Sequence, residues 1–470
     1  MNKDNNQMDK IVSLCKRRGF IFQGSEIYGG LAGTFDYGPY GVTLKRNIEN
    51  LWWKTFVNDR DDMLGLDAAQ ISSQKIWEAS GHLAGFKDPS VTDIKTRKSY
   101  RADHIIEDAG FVAIGLTAEE MSILIKEKKI KSPDGNDFED VEFFNQMFPL
   151  NMGASKDSAD VAYLRGELAQ GMFTNFKNIM DSIHPKLPFG IAQSGKAFRN
   201  EIVAKNYIFR TREFDLMEFE YFFDSEKQDW KNVFEYWREE MYRWIELVGI
   251  DKKLCHEIEK LGPDLAHYSK RTIDIEFDFP FGQKELYGLA YRTDYDLNKH
   301  QEASGLSHEH LDEETKRKFL PHVMEPTFGI NRTLLAVLST AYAEEDVSEG
   351  KDGSDIRTVL KLKNNIAPVK VCVSPLLKNK EILVIKAEEV YKNLKKEFTK
   401  LNLGAVVYDD GGNIGKRYRK QDEIGTPYCV VIDFETTESD GCVSVRDRDT
   451  MQQVRIKLED VNEYFVNKFN

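Results

Sequence analysis

Phe198-Arg199-Asn200-Glu201, then Arg210-Thr211-Arg212-Glu213-Phe214, then Met217-Glu218-Phe219-Glu220 is the stretch on which the fold reading turns. Its last segment alternates apolar and acidic residues, the period of a half-buried strand. Met217, Phe219 and Tyr221 then supply a core face, and Glu218 and Glu220 share the opposite one. The same spacing predicts that Arg199 projects with Glu201, and Arg210 with Arg212, on an antiparallel pair joined by a loop around Lys205-Asn206. Arginine presents a planar, permanently charged fork suited to phosphate, and Phe214 offers a ring on which a purine can stack. Arg/Glu pairs also make ordinary cross-strand ion pairs on a wet sheet face, so this stretch alone does not decide the chemistry.

A second stretch supplies the other half. Glu325-Pro326-Thr327-Phe328-Gly329-Ile330-Asn331-Arg332 opens an apolar helical pattern through Leu334, Leu335 and Leu338. Helix starts attract phosphate, and Arg332 in the first turn reinforces that; a plain cap by Thr327 or Asn331 is the other reading. Glu167 stands at an expected helix start, where the macrodipole favours a carboxylate in any case. Glu285-Leu286, inside a strand-like run, sets a carboxylate where it can hold magnesium on phosphates. Taken together, Arg199, Arg210, Arg212, Arg332 and these carboxylates suit a nucleoside triphosphate with a small cation.

The bulk numbers narrow the class. A chain of 470 residues with 41% hydrophobic and 30% charged content is an ordinary globular one, expected as roughly three domains of about 150 residues each. The five cysteines are scattered with no C-x-x-C pair, so no zinc site or disulfide framework is expected and a reducing compartment is the simple reading. His308 and His310 sit in a charged stretch and are expected to be solvated; no histidine shows metal-ligand spacing. The polar Met1–Lys10 segment is not a signal peptide, and the absence of a run of about eighteen apolar residues excludes a membrane span, so a cytoplasmic location is expected. The net charge of −13 is uneven: residues 361–470 carry 19 Lys+Arg against 17 Asp+Glu. Global acidity disfavours loose adhesion to polyanions without forbidding a local docking surface.

Periodicity predicts helices over Met8–Arg18, Leu44–Phe56, Glu167–Met180 and Trp230–Val248, with strands at Phe20–Tyr28, Met63–Ile71, Thr272–Asp278 and Leu286–Thr293. Residues 102–140 read as a charged helical insertion with a Ser132-Pro133-Asp134-Gly135 turn. The expected boundaries are a first catalytic part at 1–101, that insertion, a second catalytic part at 141–345, a linker at 346–364 and a small α/β domain at 365–470. Strands alternating with helices in the last unit predict a mixed sheet.

These motifs resemble class II aminoacyl-tRNA synthetases, and within them the dimeric glycyl-tRNA synthetases, over nearly the whole length. The resemblance is carried by Phe35-Asp36-Tyr37-Gly38-Pro39-Tyr40-Gly41 with Trp52-Trp53, by Tyr100-Arg101-Ala102-Asp103-His104 and by Glu167-Leu168-Ala169-Gln170-Gly171. The two stretches above carry it too, as do Ile414-Gly415-Lys416-Arg417-Tyr418 and Asp422-Glu423-Ile424-Gly425, which look like the anticodon-binding domain. It implies an α+β catalytic domain, an antiparallel sheet flanked by helices, with a homodimer interface in the Gly41–Ile71 region. It also implies ATP, glycine and glycine tRNA as partners, with Mg2+ accompanying ATP on Glu285, and no zinc. Arg199, Glu201 and Arg332 would be catalytic. Asn200, Arg210, Thr211, Arg212, Glu213, Phe214, Glu285, Leu286, Gly329, Ile330 and Asn331 would complete the ATP site. Arg101, Glu167, Phe214, Glu218, Glu325 and Thr327 would hold glycine. Three positions depart from the pattern: Gly166 where many relatives have proline, Thr327 where serine is common, and Asn331 in place of a glycine.

Two alternatives stay open on the sequence. One is a non-catalytic relative similar to the mitochondrial DNA polymerase accessory subunit, which has no reason to keep the ATP clamp. The other is a class II synthetase for threonine, proline or serine, against which the glutamate-rich pocket weighs.

Overall fold

Glu213–Phe223 is a strand at the heart of a seven-stranded sheet. Across the sheet the order is Cys255–Lys260, Arg271–Phe279, Gly282–Thr293, His322–Gly329, Glu213–Phe223, Phe189–Phe198 and Met63–Gly65. Every neighbouring pair is antiparallel except the last, where Met63–Gly65 runs parallel to Phe189–Phe198. The computed structural model describes residues 3–153, 160–262, 265–348 and 355–469. Among these, no helix is long and apolar enough to cross a membrane.

The predicted alternation holds in the Glu213–Phe223 strand. Met217, Phe219 and Tyr221 are buried in the main core with Trp52, Phe56, Trp237 and Phe328. The Phe219 and Trp237 rings lie 4.6 Å apart, within the range in which aromatic pairs add to area burial. Helix Trp230–Val248 covers this face with Trp237, Met241, Trp244 and Ile245. Its start is capped by Asp229, whose side chain accepts from the Lys231 amide, and Gly249 ends it in the left-handed region, as helix-end chemistry favours. Helices Pro39–Trp53 and Ile330–Ala341 complete the layer. On the opposite face, helix Ala169–Ile183 packs Met172, Phe173 and Phe176 onto Phe189, Ile191, Phe222 and Val323.

Beside the main sheet, strands Lys87–Thr92, Ser99–Arg101 and Glu142–Asn145 form a small sheet. Val91 and Val141 share one apolar cluster with Ile106, Met121 and Ile125 of helices Ala102–Asp108 and Ala118–Glu127. The helices of the 102–140 region therefore fold onto strands contributed from either side of it. Strand formation over 20–28 and 63–71 is shorter than the pattern predicts: Ile21–Gln23, and the separate pieces Met63–Gly65 and Ile71–Ser73. The glycines at 24, 29 and 30 turn the chain early.

The C-terminal unit has its own core around Val371, Leu383, Leu394, Val430, Val443 and Phe465. Its five-stranded sheet runs Val406–Tyr408, Val371–Pro375, Tyr428–Ile432, Cys442–Asp447, Gln453–Lys457. The first three strands are parallel and the last two antiparallel, the mixed sheet expected. Helix Ile414–Ile424 escaped the periodicity because what it buries is mostly polar: Arg417, Gln421 and Asp422 with Ile424. The stretch read as a linker carries structure. Tyr342–Asp346 pairs with Ile356–Leu360 as a hairpin, and Leu362, Ile366 and Ala367 join the main core.

Candidate active site

The strand reading of the arginines is corrected by the structure. The continuous ladder ends with Phe198 opposite Glu213, and beyond it only an isolated bridge joins Lys205 and Arg210, so Arg199, Glu201, Arg210 and Arg212 lie on the connecting loop and two-residue alternation does not place them. Tertiary hydrogen bonds do. The Arg199 amide donates to Arg212 O at 2.9 Å, the Asn200 amide to Gln146 O at 2.8 Å, and the Arg212 amide to Gly33 O at 2.8 Å. Asn206 and Tyr207 both take positive φ where the loop reverses, a region Asn tolerates better than most residues.

That loop delivers its side chains to a cavity of about 300 Å³ on the sheet. Arg199, Glu201, Arg210, Thr211 and Phe214 line it from one side, and Glu285, Leu286, Gly329, Asn331 and Arg332 from the other. Arg199 lies between the rings of Phe86 and Phe214, 5.1 and 5.3 Å from their centroids, and its Nε donates to Gly166 O at 3.1 Å. Arg210 Nε donates to Glu201 Oε2 at 2.7 Å, and Arg210 Nη2 makes an ion-pair contact of 2.7 Å with the same oxygen. Across the cavity, Arg332 sits 4.6 Å over the Phe209 ring and 2.9 Å from the Glu285 carboxylate. Arg332 is the first cause holding Glu285 below the ordinary carboxylate value; burial and Glu285 itself push neighbouring Asp274 up to about 6.

The same cavity takes in Glu167, Glu218, Glu325 and Thr327. Glu218 accepts from the Leu168 amide at 3.1 Å and from the Thr327 hydroxyl at 3.0 Å. Burial, then the charge of Glu167, raises Glu218 to about 7. Glu325 takes two 2.8 Å bonds from Arg292 Nη1. Burial outweighs that guanidinium and lifts Glu325 to about 8. Burial also pushes Glu167 upward, but His82 at 3.1 Å and Arg292 overcome it and hold the group well below the usual range.

Five of the residues singled out from the sequence stand outside the lining. Arg101 is held by Asp88 and Asp103. Arg212 donates to the carbonyls of Ala32 and Glu201 at 2.6 and 3.0 Å. Glu213 pairs with Lys196, Asn200 contributes through its backbone, and Ile330 is buried in the main core. Asn331, which stands in place of a glycine, has a specific task, since its Oδ1 accepts from the Asp215 amide at 3.0 Å. His308, expected to be solvated, is 6% exposed, because it packs beside the Gln301 side chain that bonds its amide.

Sequence reasoning missed the residue that organises the acidic end. Arg292 is 1% exposed in strand Gly282–Thr293. Besides Glu325 it binds Asp296 through Nε at 2.8 Å and Nη2 at 2.9 Å, and it lies 3.8 Å from the Tyr268 ring centroid. Gln170 bridges Glu167 and Asp296 at 3.0 Å each. The available signal was a lone arginine closing an apolar strand with aspartate four residues on, in Tyr291-Arg292-Thr293-Asp294-Tyr295-Asp296.

Residues 154–341 match the family described as tRNA synthetase class II core domain (G, H, P, S and T), and residues 370–468 match the anticodon binding domain. The chain is 46% identical to a "Glycine--tRNA ligase" of Clostridium acetobutylicum, covering 99% of each chain. It is equally similar, at 46%, to proteins of that name from Lachnospira eligens, covering 98% of this chain and 99% of the relative, and from Geobacillus thermodenitrificans, covering 98% and 97%.

Proposed function

The chain belongs to the glycine–tRNA ligases, a family of class II aminoacyl-tRNA synthetases, and on that premise we propose that it joins glycine to the 3′ end of a glycine tRNA through a glycyl-adenylate. The single observation that carries this reading is the meeting of Arg199 and Arg332, far apart in sequence, in one cavity with Glu167, Glu218 and Glu325. A cationic phosphate site beside a cramped anionic niche suits ATP next to an amino acid that has no side chain and presents its ammonium to the niche and its carboxylate to the phosphate.

The reaction calls for no enzyme nucleophile. Glycine's carboxylate oxygen attacks the α-phosphorus of ATP in line, the bond to the bridging oxygen breaks, and pyrophosphate leaves. Arg199 takes the α-phosphate and Arg332 the far side of the triphosphate, with Arg210 near the γ-phosphate. Preorganised guanidinium groups need no reorganisation as charge develops. The purine stacks on the Phe214 face, where Glu201 reads its edge. A ribose hydroxyl at the tRNA 3′ end then attacks the activated carbonyl, and AMP departs.

Magnesium fits this arrangement as a companion of the nucleotide. It needs only one or two protein carboxylates alongside phosphate oxygens, and Glu285 and Asp274 line the cavity to provide them. Among the described residues no cluster of three His, Cys, Asp or Glu side chains suits a metal by itself. When bound, the ion neutralises triphosphate charge.

Selectivity follows from filling. Glu167, Glu218 and Glu325 crowd the ammonium and Thr327 takes the remaining room, so a Cβ meets occupied space; no smaller amino acid exists to be excluded. In this reading residues 1–101 and 141–345 form the catalytic domain around the 102–140 insertion. Residues 365–470 hold the tRNA anticodon, and two copies pair through the 41–71 region in the cytoplasm. ATP–pyrophosphate exchange tests the centre of the proposal: glycine alone should support it, and exchange with no amino acid would favour the accessory-subunit alternative. Light scattering that finds only monomers would remove the dimer from the scheme.

A further inference from the structure

One carboxyl on the Glu218 face of the sheet stands apart. Glu220 is 0% exposed, and among the described residues neither of its side-chain oxygens has a hydrogen-bond partner. It does not line the cavity. It lies two residues along the strand from Glu218, with Ile191 as its neighbour on one adjoining strand. On the other side, the pairings Glu218↔Thr327 and Tyr221↔Met324 set Glu220 opposite Glu325. Directly opposed residues of an antiparallel pair have their Cβ atoms about 5 Å apart.

The charged groups that act on Glu220 are Glu218 on its own strand, Glu325 opposite, Arg292 on the next strand and Asp296 on helix Tyr295–Ser304. The bonds of Arg292 go to Asp296 and Glu325. An ionised carboxylate with no donor is among the most unfavourable groups to bury, and two neighbouring carboxylates do not both ionise readily. A proton on Glu220 removes both difficulties, since its O–H then becomes a donor among acceptors.

We infer that Glu220 is a positioning residue for the ammonium subsite, an un-ionised carboxylic acid whose O–H donates to Glu325 from behind and fixes that carboxylate toward the bound ammonium. The inference deepens the glycine reading and rests on it. Burial, with Glu325 as the next cause, agrees in driving the pKa of Glu220 well above the ordinary value. A neutral acid here also limits the charge of a cluster in which Glu167, Glu218, Asp296 and Glu325 lie near the Arg292 guanidinium.

The test compares Glu220→Gln with Glu220→Ala in the full chain. The amide keeps the size, neutrality and donor of the protonated acid, so Gln should hold the glycine KM within about threefold of wild type, whereas Ala should raise it roughly tenfold or more. The ATP KM should stay level in both, which separates positioning of glycine from general damage. A Gln variant as impaired as Ala, or an Ala variant with unchanged glycine KM, would overturn the inference. An independent arm uses no substrate. Infrared spectra of wild type minus Glu220→Gln at neutral pH should contain a protonated-carboxyl C=O stretch, and carboxylate stretches in its place would refute the un-ionised state. Wild-type exchange driven by an amino acid other than glycine would defeat the glycine reading while leaving the infrared result standing.

Discussion

Thr327 shows what one side chain can decide. Its hydroxyl donates to Glu218 at 3.0 Å, while its methyl fills space that a serine would leave. Thr327→Ser should keep glycine activation, and Thr327→Gly should raise alanine-dependent pyrophosphate exchange relative to glycine by roughly tenfold or more; equal alanine activation by wild type and the Gly variant would contradict this. Removing a guanidinium from the phosphate site should be far more severe. Arg332→Ala is expected to lower exchange about 10²–10³-fold, read as kcat with glycine saturating. The raised carboxyls give a pH signature with a defined sign. If Glu218 and Glu325, at about 7 and about 8, hold the glycine ammonium as proposed, they do so in their ionised forms, so the glycine KM should fall as pH rises from 6 to 8.5 and glycine binding should release protons. The same raised values mean the folded ligand-free chain holds protons that the unfolded chain loses near the usual glutamate pKa. These groups therefore make stability decline from that value upward toward pH 8. A larger thermal shift by glycine at pH 8 than at pH 6 would accompany both effects, and a flat KM profile would sink the assignment.

Among the elements, the entry to helix Pro39–Trp53 depends on a close backbone approach at Gly41. A Cβ on Gly41 would lie 1.8 Å from the Phe20 carbonyl oxygen, a backbone atom with little freedom to retreat. Gly41→Ala should therefore destabilise the fold by at least ~1–3 kcal/mol, measured as a lowered denaturant midpoint with unchanged slope. This helix was legible in the sequence because Leu44, Ile48, Trp52 and Phe56 repeat at its period and all are buried. The Glu213–Phe223 strand was legible for the equivalent reason at period two. The 199–212 loop was not: its side chains are aimed by Gly33, Gln146 and Gly166, residues whose proximity no local pattern encodes. Helix Ile414–Ile424 failed in another way, burying charge in place of an apolar stripe.

Across the whole molecule, that buried charge ties the hairpin 342–360 to the C-terminal unit. Arg357 donates to Asp422 at 2.8 Å and to Glu345 at 2.7 Å, and Arg446 donates to both Asp422 oxygens at 2.8 and 3.1 Å. Asp422→Ala strands two buried guanidiniums and should lower stability by about 3–5 kcal/mol. Calorimetry should locate the loss in the C-terminal transition, with tRNA charging reduced more than glycine-dependent exchange. The amino-acid sequence alone determined the main helices, the period-two strand at 213–223, the mixed C-terminal sheet and the two arginine-bearing segments, and its motifs implied the antiparallel catalytic sheet by resemblance, because periodicity and short motifs are written into neighbouring residues. Only the tertiary structure decided that Arg199 and Arg332 face one cavity, that Arg292 organises the acidic niche, and that Glu220 is sealed on the Glu218 face opposite Glu325. Those facts depend on which strands lie side by side and which donors reach a buried oxygen, and chain-distant neighbours exist only once the sheet has closed.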